Sequence, residues 1–133
     1  MIHRKPFNPL GDAQLLSEAA QKRLREGLLH GPVWDKQISF MVWQDAHPLF
    51  AAGLAYLTFA SPVHVWFLPG AAMATHKLTV AREACRVVDL FNEYHPSLLA
   101  TTHSAEDRRF ALHLGFTETE RDGDITYLVR EMK

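Results

Sequence analysis

The chain has 133 residues, of which 47% are hydrophobic and 22% charged, with a net charge of −1 when its eight histidines are neutral. That composition is globular and allows one compact domain spanning 1–133, with no strongly basic surface for nucleic acid. A single cysteine, Cys85, excludes an internal disulfide and suits a reducing, cytoplasmic setting.

After a short strand around Ile2–Pro6, residues 11–32 read as one helix. Asp12 caps it, Leu16, Ala20, Leu24 and Leu28 recur at four-residue spacing, and His30-Gly31-Pro32 stops it. Residues 36–45 predict a strand with Ile38, Phe40 and Val42 on one face, and a turn follows at 45–48. Residues 49–60 form the next strand, a reading that Tyr56 and Phe59 favour over helix. Val63, Val65 and Phe67 then alternate against His64, Trp66 and Leu68, which predicts a third strand and an antiparallel meander.

From Ala46 to His76 the chain has no Asp, Glu, Lys or Arg. A spanning helix needs about 20 continuous apolar residues. Pro48, Pro62 and Pro69 cut this stretch, so it reads as buried strands and not as a membrane span.

Beyond Pro69-Gly70, a helix is predicted over 75–94, with Leu78, Ala81, Cys85 and Val88 on one stripe and Ala84, Val87 and Phe91 beside it. Residues 97–103 form a strand after that helix, hence a βαβ crossover and a parallel pair. Ser104 caps a short helix that ends at Gly115. The chain closes with a hairpin around Asp122-Gly123, with Ile125, Tyr127 and Val129 on one face. The fold class is α+β (mixed α/β), one central sheet with helices on both faces.

This order, with Leu114-Gly115-Phe116 ahead of a final hairpin, resembles the GCN5-related N-acetyltransferase (GNAT) superfamily over nearly the whole chain. The resemblance implies acyl-CoA, acetyl-CoA above all, at the start of the helix after Gly70. It also implies a pantetheine arm between splayed parallel strands, here 63–68 and 98–102. Leu68, Gly70, Ala72, Ala74, Thr75, His76 and Lys77 are the expected cofactor contacts. An exposed helix start suits a pyrophosphate, since its N–H groups lack partners and carry partial positive charge.

The departures are specific. Where the family's loop has Gln/Arg-x-x-Gly-x-Gly/Ala, this chain has Ala72, Thr75 and Lys77 at the three marked positions. The family's general-acid Tyr falls on Ala111, and an Asn often found early in the last helix falls on Ser104.

Acyl transfer to an amine needs a base and an oxyanion donor. His64 is the candidate base, with an ordinary pKa near ~6.5; the alternative is a histidine hydrogen-bonded within the sheet. His103 and Ser104 are candidates to face the acyl group or the acceptor; the alternative is a plain helix cap. Cys85 reads as packing, and no metal-ligand spacing occurs. Three readings follow: an acyl-CoA-dependent N-acyltransferase with an unidentified amine acceptor, a catalytically inactive GNAT-fold interaction or assembly protein such as a bacteriophage internal virion protein, and a binder of some other small ligand in the same cleft.

Overall fold

A computed structural model describes residues 1–7, 12–25, 39–55 and 63–132, with side chains described for these except 23–25. The expectations that rest on Leu24, Leu28, His30-Gly31-Pro32, Ile38, Tyr56 and Phe59 lie outside the described side chains.

The strands are β1 (Ile2–Pro6), β2 (Phe40–Gln44), β3 (His47–Ala55), β4 (Val63–Pro69), β5 (Ser97–Thr102), β6 (Thr117–Asp122) and β7 (Ile125–Glu131). They form one sheet in the order β1-β2-β3-β4-β5-β7-β6. β1 through β4 run antiparallel in sequence, β5 is parallel to β4, and β7 is antiparallel to both β5 and β6. The helices are α1 (Glu18–Arg25), α2 (Lys77–Tyr94) and α3 (Ala105–His113). This is the mixed sheet with meander, crossover and closing hairpin that the strand pattern predicts. No helix among the described residues is long and apolar enough to cross a membrane.

The two faces of the sheet carry separate cores. On one, Val42, Phe50, Ala52, Leu54, Val63, Leu98 and Leu128 meet Val80, Ala84, Val87, Val88 and Phe91 of α2, with Ala111 and Leu114 of α3 beside them. Burial of a side chain such as Phe91 contributes about 1.5–3 kcal/mol. On the other, Met41, Ala51, Trp66 and Leu68 meet Phe7, Leu16 and Ala20.

Three expectations are corrected. The helix predicted from residue 11 is instead a 3-10 turn, Ala13–Leu15, followed by α1. Leu16 leaves the helical path to form a β-bridge with Gly70. Asp12 makes no side-chain cap bond, whereas Ser17 Oγ accepts the Ala20 N–H at 3.2 Å and restarts the helix.

The second correction concerns α2, which turns Leu78 outward, 89% exposed. At 100° per residue Leu78 lies roughly 200° from Val80, so the packed stripe excludes it. The stripe that packs has polar flanks, Glu83 and Asn92, both buried. Arg86 pairs with Glu83 at 2.8 Å, and Asn92 donates to His95 O at 3.0 Å while accepting from Arg130. The third concerns the hairpin, whose buried side is Thr126 and Leu128 instead of Ile125, Tyr127 and Val129. Leu128 stands opposite Ala100, on the face that α3 covers.

The Leu114-Gly115-Phe116 motif has a local reason. Gly115 ends α3 with φ +95°, and a Cβ there would stand 2.9 Å from Arg130 Nε.

Candidate active site

The parallel strands part almost at once. β4 and β5 pair only at Val63↔Leu98 and His64↔Leu99, so Val65–Pro69 and Ala100–Thr102 diverge with no ladder between them. The closed end of this split is at His64, and its open end leads past Gly70 to the start of α2.

That start is preceded by a 3-10 turn, Met73–Thr75. Lys77, Leu78 and Thr79 precede the first helical bond, Val80 N–H to His76 O at 2.9 Å. No side chain caps α2, and its first turn holds no acid. The loop ahead of it is closed. Gly70 N–H donates to Leu49 O (2.8 Å), Ala71 N–H to Leu15 O (2.9 Å), Ala72 N–H to Pro48 O (3.0 Å), Met73 N–H to Gly70 O (3.2 Å) and His76 N–H to Met73 O (3.1 Å). A Cβ on Gly70 would lie 2.4 Å from Pro48 O, so this glycine serves the close approach of the loop to β3.

The expected cofactor residues divide accordingly. Leu68 is buried, its side chain packed with the Met41–Trp66 cluster, and Ala72 packs against the opposite core. Ala74, Thr75 and Lys77 are exposed. Thr75 Oγ1 and His76 Nδ1 both contact Ala72 O, at 3.2 and 2.9 Å, and the His76 ring packs 5.3 Å from that of His47. Lys77 and the first-turn N–H groups of α2 are therefore what could hold a phosphate.

His64 is half-buried on the sheet face opposite α2, between Ala55 of β3 and Leu99 of β5. Its Nδ1 is sealed from solvent with no hydrogen-bond partner among the described residues, and burial holds the imidazole below its ordinary pKa. It is thus neutral at pH 7 and able to accept a proton.

His103 and Ser104 sit elsewhere. Both are exposed and line a cleft of about 190 Å³ with Arg108, Arg121, Asp124 and Thr126. Ser104 Oγ accepts the Asp107 N–H at 3.1 Å, which is the plain helix cap. His64 faces Leu99 across the pair, and His103 comes four residues later, roughly 13 Å along the strand at 3.3 Å per residue. The structure therefore does not bring the three catalytic candidates into one site.

Sequence reasoning missed two residues at the split. Phe67 of β4 and Phe110 of α3 meet across it, ring centroids 5.1 Å apart. An aromatic beside the position where the family has its Tyr was the available signal. Cys85 is half-buried, and burial, then Asp89, pushes its thiol pKa up, as befits packing. Among the described residues no group of His, Cys, Asp and Glu could hold a metal.

No protein-family profile and no curated relative matches the sequence. Solved structures do match. Campylobacter jejuni N-acetyltransferase PseH, in complex with acetyl coenzyme A, is 13% identical with a TM-score of 0.66, over 100% of both chains. An acetyltransferase from Thermus thermophilus is 18% identical with a TM-score of 0.65, over 99% of this chain and 97% of that one. A Bacillus subtilis acetyltransferase in complex with CoA is 9% identical with a TM-score of 0.66, over 99% and 98%. Identities this low establish the fold alone.

Proposed function

From a chain with the GNAT fold, we propose an acyl-CoA-dependent N-acyltransferase whose cofactor loop has been rebuilt. The observation that carries this reading is the split between β4 and β5, opening beside the uncapped start of α2. Lys77 and the N–H groups of Lys77, Leu78 and Thr79 would hold the phosphates; they fit an anion because no acid stands in that turn. Bound there, an acyl thioester supplies the acyl group for transfer.

The protein's own residues then have limited tasks. His64, neutral at pH 7, takes the proton from an ammonium at the closed end of the split. Its lowered pKa means that the free base is already present at neutral pH. The strand edges left unpaired at 65–69 and 100–102 offer backbone groups to an extended arm. His103 and Ser104 lie outside this centre, at a separate cleft, and have no part in the proton transfer at His64. No activated nucleophile stands beside His64 among the described residues, so the amine would attack the thioester carbonyl directly. The C–S bond breaks as the amide C–N bond forms, and the thiolate leaves to take up a proton.

A second reading, a catalytically inactive interaction or assembly domain, is favoured by one observation. The backbone N–H groups of Gly70 to Met73 and of His76, which would cradle a pyrophosphate, all donate to the protein's own carbonyls.

Calorimetric titration with acetyl-CoA and CoA, on the wild type and on Lys77→Glu, decides between them. Micromolar affinity that falls at least tenfold on charge reversal is the expected result. Absence of heat at protein concentrations where a Kd of ~1 mM would register overturns the enzyme reading in favour of the second.

A further inference from the structure

We propose that Phe110 is the residue that controls admission of the pantetheine arm to the split, a role that rests on the acyl-CoA reading above. Val80 in the first turn of α2 and Phe110 and Ala111 of α3 pack on the same face of the sheet. On this proposal a ligand held at Lys77 enters the split through the space between them. That space contains an aromatic pair.

Phe67 projects to this face from the unpaired stretch of β4, and Phe110 projects from α3, which follows β5. Their centroids are 5.1 Å apart with the rings inclined at 60°, a tilted contact between the diverging part of β4 and the helix that follows β5. The two partners are not equally held. Phe67 stacks on fully buried Phe50 at 4.5 Å and 21°, which anchors it in the core. Phe110, half-buried like Phe67 and like it packed at the edge of the core, has no second ring contact among the described residues and sits near the middle of a nine-residue helix. Phe110 is therefore the movable half, and rotation of its ring away from Phe67 opens the passage.

An aromatic pair of this kind biases a closed-to-open equilibrium by about two- to tenfold. The apparent Kd of a ligand that needs the open state is its intrinsic Kd divided by the open fraction. Removing the ring removes that bias. The ligand's nucleotide end, held outside the split, should not sense it.

The experiment measures calorimetric affinities of acetyl-CoA and of ADP, which has the pyrophosphate but no arm, for the wild type, Phe110→Ala and Phe110→Leu. Circular dichroism melts confirm folding, and the leucine variant decides the matter if alanine prevents it. The expected result is acetyl-CoA binding about two- to tenfold tighter in Phe110→Ala, a smaller gain in Phe110→Leu, and unchanged ADP affinity. Equal acetyl-CoA affinity in wild type and both variants overturns the gate and leaves the acyl-CoA reading standing. A parallel gain for ADP overturns it too, because the effect would then lie outside the split. If no form binds acetyl-CoA, the acyl-CoA reading fails and the gate falls with it.

Discussion

The two helices that flank the split begin in opposite ways. α3 starts at Ser104, whose hydroxyl accepts the Asp107 N–H, and its first turn holds Glu106 and Asp107. Its positive end is neutralised by its own sequence. α2 starts without a side-chain cap and without an acid, and the residue there is Lys77. Thr75 and His76, the neighbours that could have capped it, turn back onto Ala72 O. An exposed, uncompensated helix start lowers stability, and on the proposed reading it is retained for its attraction to an anion. The contrast teaches that burial alone does not separate the two helix starts; their local chemistry does, and it is on that difference that the proposed phosphate site rests.

Replacing the open start with a closed one should have the largest effect. In His76→Asp, a carboxylate at the N-cap takes the first-turn N–H groups and repels phosphate. Acetyl-CoA affinity is expected to fall at least tenfold by calorimetry while urea unfolding shows a gain of about 0.5–1 kcal/mol. Unchanged affinity would mean that phosphates do not sit at this helix.

Opening the closed start is the converse. Ser104→Ala should cost about 1 kcal/mol in urea unfolding, and no measurable cost would show that the 3.1 Å cap contributes nothing.

The smallest effect concerns His64, away from both helices. Burial lowers its folded pKa, so on acidification the unfolded chain takes up the proton first. Stability linked to His64 is fully present above pH ~6.5 and is lost as pH falls from there toward the folded value. His64→Gln should therefore lose less stability than the wild type between pH 7 and pH 5. Comparison of the two proteins cancels the other seven histidines, and parallel pH profiles would contradict a buried, neutral imidazole.

Much of the fold was legible because its signals are local. Alternation in Val63–Leu68, a turn within residues 45–48, the Ser104 cap and the glycine that ends α3 each depend on neighbours within a few residues. The long N-terminal helix was not legible as two pieces. Its apolar spacing is helical throughout, and the break at Leu16 comes from pairing with Gly70, more than fifty residues away. Leu78 was misplaced for a similar reason: the packed stripe of α2 accepts Glu83 and Asn92 because Arg86 and Arg130 satisfy them. The site was legible only as a list of residues. Spacing along the chain put His103 beside the parallel strand but did not show that His64 pairs with its other end.

By itself the sequence determined the order of the strands and main helices, and that no acid stands near the start of the helix predicted over 75–94. These follow from side-chain size, periodicity and charge, which act over a turn or a strand. Only the tertiary structure decided that β4 and β5 part after two residue pairs, that Phe110 meets Phe67, and that carbonyls of Leu15, Pro48 and Leu49 occupy the loop's N–H groups. Those outcomes depend on which distant backbone arrives to satisfy a hydrogen bond or fill a space, and local chemistry carries no record of that.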